Sequence, residues 1–307
     1  MHHYTTSYGV KVLRTPEHLF DRVDYPFQPQ YVFVDEIRMH YVDENPQSDK
    51  VIVLLHGEPT WGYLYRNIIP LLVKAGYRVI VPDLIGFGKS DKPVNKKVYS
   101  YTKNIDWMAM FLFEQLKLNE INLVLHDWGG LIGLRLVADF SEKFKSVVAM
   151  NTTLPRLEGF NPFFYLWRLL SGVLAFIPHS KLISLNVKSV QQADIYKAYD
   201  VPFPERIYKT ASIVFPKLVP VFPWEIEARK NKIAWEKLCA FNRPFATLFS
   251  DKDPFTKKVE EDLIREIVGA KGQPHTKLKN ARHFIQEEDP EFVANYIIYF
   301  LTNKVYY

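Results

Sequence analysis

The stretch Asn122–Leu131, NLVLHDWGGL, decides the fold. A short apolar run, of the kind that forms a strand buried on both faces, ends at Asp127, and two glycines then open a helix-length segment. This is the strand–turn–helix context of a nucleophile elbow, where a reactive side chain is held on a sharp bend at the edge of a sheet. The reactive position carries Asp in place of Ser. A serine hydroxyl needs an acyl carbon to attack, whereas a carboxylate can displace a leaving group from saturated carbon and form an alkyl ester. Gly129 and Gly130 allow the helix to approach the strand closely, although Leu125 is bulkier than the small residue that usually opens such a bend. Taken alone, the segment also fits an Asp that only caps a helix N-terminus.

Runs of the same kind lie on both sides. Val51–Leu55, Val79–Pro82, Ile121–Leu125 and Val147–Met150 are short and continuously apolar, and the segments Gly62–Lys74, Tyr101–Leu116 and Gly129–Phe140 between them have helix length. That alternation predicts βαβ crossovers and an α/β domain with a mostly parallel central sheet flanked by helices. Before it, Tyr31–Val34 and Ile37–Tyr41, joined by Asp35 and Glu36, predict an antiparallel hairpin at a sheet edge. The rhythm stops after Met150. From Leu154 to Lys230 the chain is rich in Pro, Phe, Tyr and Trp with no buried-strand run. It resumes with a strand at Phe245–Ser250, a helix near Lys257–Ile267, a short strand at His275–Leu278 and a helix at Pro290–Thr302. The expected organisation is a core of residues 1–153 and 231–307, with a helical cap of residues 154–230 inserted over the carboxyl edge of the sheet, where open α/β folds bind ligands. A plain packing helix pair would have a similar composition.

Two further segments complete a reactive constellation. Leu55–Arg66, LHGEPTWGYLYR, follows the first parallel strand, and its His-Gly-x-Pro turn can bring the amide of Glu58 toward the elbow. With the amide of Trp128 it would form a two-donor oxyanion hole. Asp253, in LFSDKDPF, follows the resumed strand, and His283, in NARHFIQEE, follows the next one. The order Asp127, Asp253, His283 is the nucleophile–acid–histidine order of α/β-hydrolases. His283 would activate water against the ester, and Asp253 would orient its ring and stabilise the imidazolium. Asp251 competes with Asp253 for that place. His56 belongs to its turn, His126 is expected to point away from the nucleophile, and His40, His179 and His275 have no partner pattern. Asp83 is expected to fix the glycine-rich loop that follows it, which is not a phosphate cradle because no helix starts directly after its glycines.

Composition narrows the function classes. Of 307 residues 48% are hydrophobic and 24% charged, which argues for a globular domain and against disorder. The net charge of +5 is scattered, and its densest run, Lys89–Lys97, is interleaved with Asp91, Pro93 and Asn95, so no nucleic-acid stripe is expected. Cys239 is the single cysteine, which leaves neither a disulfide nor a thiol pair for zinc. The N-terminus has no apolar signal region, and the most apolar stretch, Phe163–Pro178, is short and holds Arg168. A cytoplasmic protein without membrane contact is expected.

The motifs HGEPTWGYLYR, VPDLIGFGKSDKP and HDWGG together closely resemble the haloalkane dehalogenase family, across nearly the whole chain and least in the cap. The resemblance implies an α/β-hydrolase fold, no cofactor and no metal, a small halogenated aliphatic substrate, a released halide ion, and a monomer. It looks most like the subgroup with an Asp–His–Asp triad and two halide-binding tryptophans. That implies Asp127 as nucleophile, His283 as base, Asp253 as acid and Trp128 as one halide ligand. The second would be a cap tryptophan, best matched by Trp167 in PFFYLWRLL, which core packing would also explain. Asn151, where a related subgroup keeps its acid, cannot serve as one. Other subgroups often carry, after His-Gly, an Asn whose side chain touches the halide; this chain has Glu58, a poor anion ligand, which leaves the halide to the cap tryptophan. Trp224, near the end of the cap, could also line the pocket.

Epoxide hydrolases share the Asp elbow, the turn and the triad order, but need two cap tyrosines, for which Tyr165, Tyr196, Tyr199 and Tyr208 are available. A fluoroacetate dehalogenase would need an arginine beside the elbow, absent from Asp-Trp-Gly-Gly. A non-catalytic ligand-binding relative of the same fold is the remaining alternative, usually with a Ser-type triad.

Overall fold

The computed structural model describes residues 2–156, 168, 176–188, 193–256 and 259–306. Eleven strands are formed among them: β1 (His2–Thr5), β2 (Lys11–Arg14), β3 (Gln30–Val34), β4 (Ile37–Glu44), β5 (Val51–Leu55), β6 (Arg78–Pro82), β7 (Lys92–Pro93), β8 (Ile121–His126), β9 (Phe144–Met150), β10 (Phe245–Ser250) and β11 (Thr276–Leu278). Eight of them make one sheet in the order β11-β10-β9-β8-β5-β6-β4-β3. From β11 to β6 every pairing is parallel, while β4 and β3 run antiparallel at one edge, as the alternating hairpin predicts.

The continuous apolar runs are explained by two-sided cover. In β5, Val51, Val53 and Leu55 enter one apolar cluster, and Ile52 and Leu54 the other. The first cluster is closed by Ile132 and Leu136 of the helix Trp128–Asp139 and by Trp235 and Leu238 of the helix Ile226–Cys239; the second by Ile69, Leu72, Val293 and Ile297 from two helices on the opposite face. Helix starts are marked by local chemistry. Ser100 accepts the Lys103 amide at 3.0 Å to open Tyr101–Ala109, and Asp289 accepts the Phe292 amide at 2.9 Å ahead of Pro290 to open the last helix.

Strand order positions the site. The chain goes from β5 to β6 on one side and later returns to β8 on the other, so the direction of winding reverses between β5 and β8. The carboxyl ends of those strands, paired at Leu55 and Leu125, flank a crevice of the kind that binds ligands in open α/β sheets. The turn carrying Glu58 follows β5, and Asp127 follows β8.

Two features depart from the sequence expectation. A three-stranded sheet, β1-β2-β7, lies outside the main one; β7 is two residues long and carries no periodicity to read. The helix Ile226–Cys239 runs unbroken through residues 230 and 231, where composition predicts the core to resume, and packs against the helix Trp128–Asp139. Among the described residues no helix is long and apolar enough to cross a membrane.

Candidate active site

Asp127 stands at the bend between β8 and the helix Trp128–Asp139 with φ 51° and ψ −124°. A non-glycine residue with positive φ is strained, and its surroundings must hold it there. The Thr152 hydroxyl donates to the Asp127 carbonyl at 2.7 Å, and the amides of Gly130 and Leu131 donate to the same oxygen at 2.8 and 3.1 Å. Two glycines are needed for close approach. A Cβ on Gly57 would lie 2.2 Å from Asp127 Oδ1, and one on Gly129 would lie 2.3 Å from the Leu55 carbonyl oxygen. Because that second obstacle is backbone, Gly129→Ala must push the helix off the sheet. We expect it to cost about 3 kcal/mol or more, read as a lowered urea midpoint at unchanged slope; an unchanged midpoint would mean that the elbow tolerates the displacement.

The Asp127 carboxylate is met from both sides of the crevice. Glu58 donates its amide to Oδ1 at 2.8 Å, and the adjacent Trp128 amide helps to hold the carboxyl ionised. Oδ2 lies 3.5 Å from His283 Nε2. On the far side of that ring, Nδ1 is 3.2 Å from Asp253 Oδ2. Asp253 is itself buried and accepts from the Phe255 amide at 2.9 Å and from the Thr256 hydroxyl. Thus Asp127, His283 and Asp253 form a continuous chain, while Asp251 lies exposed beside it. Electrostatics follow the geometry. Burial alone would raise both carboxyls, but His283 holds Asp127 and Asp253 below the ordinary carboxylate range. Burial alone would lower His283, but Asp253 and Asp127 together raise it to about 10.

The histidine is positioned by two residues with no catalytic pattern in the sequence. His126 Nε2–H donates to the His283 carbonyl at 3.0 Å, and burial, with the nearby His283 charge, keeps its ring neutral by lowering it to about 4. Asn151 Nδ2 donates to the same carbonyl at 2.8 Å, and its Oδ1 accepts the Ser250 amide at 2.9 Å. Both links to His283 span more than a hundred residues of chain, and neither residue type has a local pattern. Asp83 fixes its loop as predicted, accepting the amides of Gly62 and Lys89, each at 2.7 Å.

A cavity of about 320 Å³ opens on Asp127 and His283. Leu131, Phe255 and Phe284 line it from the core, and Leu182, Leu185, Pro216 and Val219 from the segment inserted after β9. Trp128 also lines it, packed against Phe215 and Tyr101 with ring centroids 4.7 and 5.3 Å away. The other tryptophans differ in what their indole N–H does. Trp61 donates to the Ala198 carbonyl, Trp107 to Asp35 and Trp235 to Glu266, whereas Trp128 Nε1 has no acceptor among the described residues. Trp224 is 65% exposed, stacked on Phe222, and does not line the cavity. Trp167 lies outside the described residues.

A family model described as alpha/beta hydrolase fold matches residues 50–190, the span that includes the β5 turn and the elbow. By its sheet and its bend the protein is an α/β-hydrolase. Curated relatives include the haloalkane dehalogenase of Psychrobacter cryohalolentis, 43% identical over 96% of this chain and 99% of the relative. Another is that of Mycobacterium marinum, 41% identical over 94% and 98%. Among solved structures, the tetrameric haloalkane dehalogenase DpaA of Paraglaciecola agarilytica NO2 superposes with a TM-score of 0.85 at 32% identity, over 95% of this chain and 98% of that one. The chain belongs to the haloalkane dehalogenase family, hydrolases that act on carbon–halide bonds in small halogenated substrates and release halide. DpaA is a tetramer, so the monomer expected from sequence finds no support in that relative.

Proposed function

We propose that Asp127 is the nucleophile, His283 the base and Asp253 the acid of a two-step hydrolysis of haloalkanes to alcohol, halide and a proton. The observation that carries this reading is the unbroken chain from Asp127 through His283 to Asp253, opening on an apolar cavity. With Oδ1 tied to the Glu58 amide, Oδ2, on the His283 side, is the oxygen placed to attack carbon from behind the leaving halogen and form the ester. Trp128, whose Nε1–H has no acceptor among the described protein groups, stabilises the halide as its charge develops. Trp167 is the second halide donor in this reading.

Esterification also switches the base on. His283 is raised to about 10 by two carboxylates, after burial has pulled it the other way. Once Asp127 is an uncharged ester, one of the two is gone and the pKa of the imidazole falls, so the neutral ring needed to take a proton from water becomes accessible. Water then attacks Asp127 Cγ, its proton passes to His283 Nε2, and the charge on Oδ1 faces the amides of Glu58 and Trp128. Collapse expels Oδ2 with the alkyl group, the His283 imidazolium protonates it to the alcohol, and the new Asp127 carboxyl group loses its remaining proton to solvent.

The helices His179–Leu185 and Thr210–Leu218 belong to the cap of this reading, which ends before the helix Ile226–Cys239. We read the enzyme as cytoplasmic, in keeping with its single cysteine. Epoxide hydrolysis is disfavoured by the same region. Tyr196, Tyr199 and Tyr208 are buried and do not line the cavity, and the Tyr199 hydroxyl donates to Glu287; Tyr165 lies outside the described residues. Purified protein given 1-bromobutane or 1,2-dibromoethane is expected to release bromide and acid with no added cofactor. Turnover of styrene oxide without bromide release from any short haloalkane would move the assignment to epoxide hydrolysis. Trp128→Phe is expected to lower kcat by about 10²-fold, as loss of one such donor does elsewhere, and to weaken bromide quenching of indole fluorescence; an unchanged kcat would remove Trp128 from the halide site.

A further inference from the structure

The cavity holds a second carboxyl group that the two-step scheme does not use. Glu58 gives its amide to Asp127 Oδ1 at 2.8 Å, so its side chain leaves the backbone beside the nucleophile, and it lines the same cavity as Trp128 and His283. Its Oε1 accepts the Ser212 hydroxyl at 2.8 Å, and Ser212 Oγ lies 2.9 Å from His179 Nε2. No cation pairs with Glu58 among the described residues, and no described group bonds to Oε2.

The groups facing Glu58 come from four elements: Asp127 on the elbow, His283 on the loop after β11, Ser212 on the helix Thr210–Leu218, and His179 on the helix His179–Leu185. None offers it a counter-charge of its own. His283 is already shared between Asp127 and Asp253. His179 is buried, with its ring against Phe203 and Lys209 nearby, and both burial and Lys209 lower it to about 3, so it stays neutral. A second anion in this apolar space would repel both the nucleophile and any departing halide. Burial accordingly pushes the Glu58 carboxyl up to about 8, against the opposing pull of the Ser212 bond and of the His283 charge, with Asp127 reinforcing the rise.

We propose that Glu58 acts as an uncharged carboxylic acid whose Oε2–H donates a hydrogen bond to the leaving halide, alongside the Trp128 indole, while Ser212, itself bonded to His179, holds Oε1. Ser212 donates to Oε1, which leaves the acid proton on Oε2, the oxygen with no partner among the described protein groups. A carboxylic acid kept neutral by an apolar site is a strong donor to a developing anion. The same group sets an alkaline limit: as it ionises, a donor becomes a repelling charge, and halide affinity falls. Glu58 is therefore a halide ligand at neutral pH, although as a carboxylate it is a poor one. The inference rests on the dehalogenase reading of the cavity.

The test is bromide affinity of the whole enzyme from pH 6 to 9.5, measured by quenching of indole fluorescence, with melting temperature followed in parallel. The wild type is expected to lose about tenfold or more in affinity across its alkaline limb. Glu58→Gln retains a donor but cannot ionise, so its affinity should stay level over that range. Glu58→Leu should bind weakly at every pH. Ser212→Ala, which removes the bond favouring the carboxylate, should move the limb to higher pH, a shift that a purely structural role would not produce. A limb of the same height and position in Glu58→Gln, or none in the wild type, would overturn the proposal. Bromide release from 1-bromobutane by the wild type at pH 7 separates the two levels. Release with the wrong pH pattern sinks the role of Glu58 alone, whereas no release sinks the reading beneath it.

Discussion

Replacing His283 with glutamine is expected to leave the enzyme able to expel one halide and unable to do so again. In the proposed scheme the first step needs only the Asp127 carboxylate, already ionised, and donors for the departing ion. The second needs a base at the position of His283 Nε2, 3.5 Å from Asp127 Oδ2. Loss of a positioned general base typically costs about 10²–10⁴-fold, so steady turnover should fall by that order while a bromide burst equal to the enzyme concentration persists. Digestion after mixing with 1-bromobutane should yield the Asp127 peptide carrying one butyl group. Glutamine cannot take a proton, yet it fills much of the space of histidine, so the fold control is a melting curve near that of the wild type. A variant that folds and shows neither burst nor modified peptide would contradict the covalent scheme.

Asp253→Asn should do comparable damage by a different route. Asp253 accepts from the Phe255 amide, the Thr256 hydroxyl and His283 Nδ1, so an amide can keep most of the packing but not the charge. Two consequences follow for His283. It loses one of the carboxylates that raise its pKa, so an imidazolium forms less readily, and an amide N–H facing Nδ1 favours the wrong tautomer. Hydrolysis of the ester is expected to slow by about 10³–10⁴-fold, with the bromide burst preserved. Asp251→Asn is the control, since that side chain is exposed, and its kcat should stay within about twofold, as for surface changes generally. Reversal of the two results would transfer the acid to Asp251.

Features legible in the amino-acid sequence are local or periodic. The elbow announces itself because a two-sided strand, an Asp and two glycines are adjacent in the chain, and the parallel sheet because its buried runs are short and uniformly apolar. The late Asp and His, which the fold brings into one chain with Asp127, are picked out by their order. What escapes is what only folding brings together. By position His126 is a bystander beside Asp127, yet with Asn151 it fixes the carbonyl of His283, more than 130 residues away in sequence. His179 carries no partner pattern because its partner, Ser212, lies on another helix and joins it to Glu58. The two-residue strand Lys92–Pro93 and the helix running through residue 230 are illegible for a related reason: the first is too short to show a period, and the second crosses a change of composition without a break.

The central claim is that a protein oxygen, not a water molecule, displaces the halide. Single turnover in water enriched in ¹⁸O, with enzyme in excess over 1-bromobutane, tests it most directly. The account predicts ¹⁸O in the side chain of Asp127, found by mass spectrometry of its peptide, and an alcohol whose oxygen is unlabelled because it came from Oδ2. Label in the alcohol and none in Asp127 would contradict it.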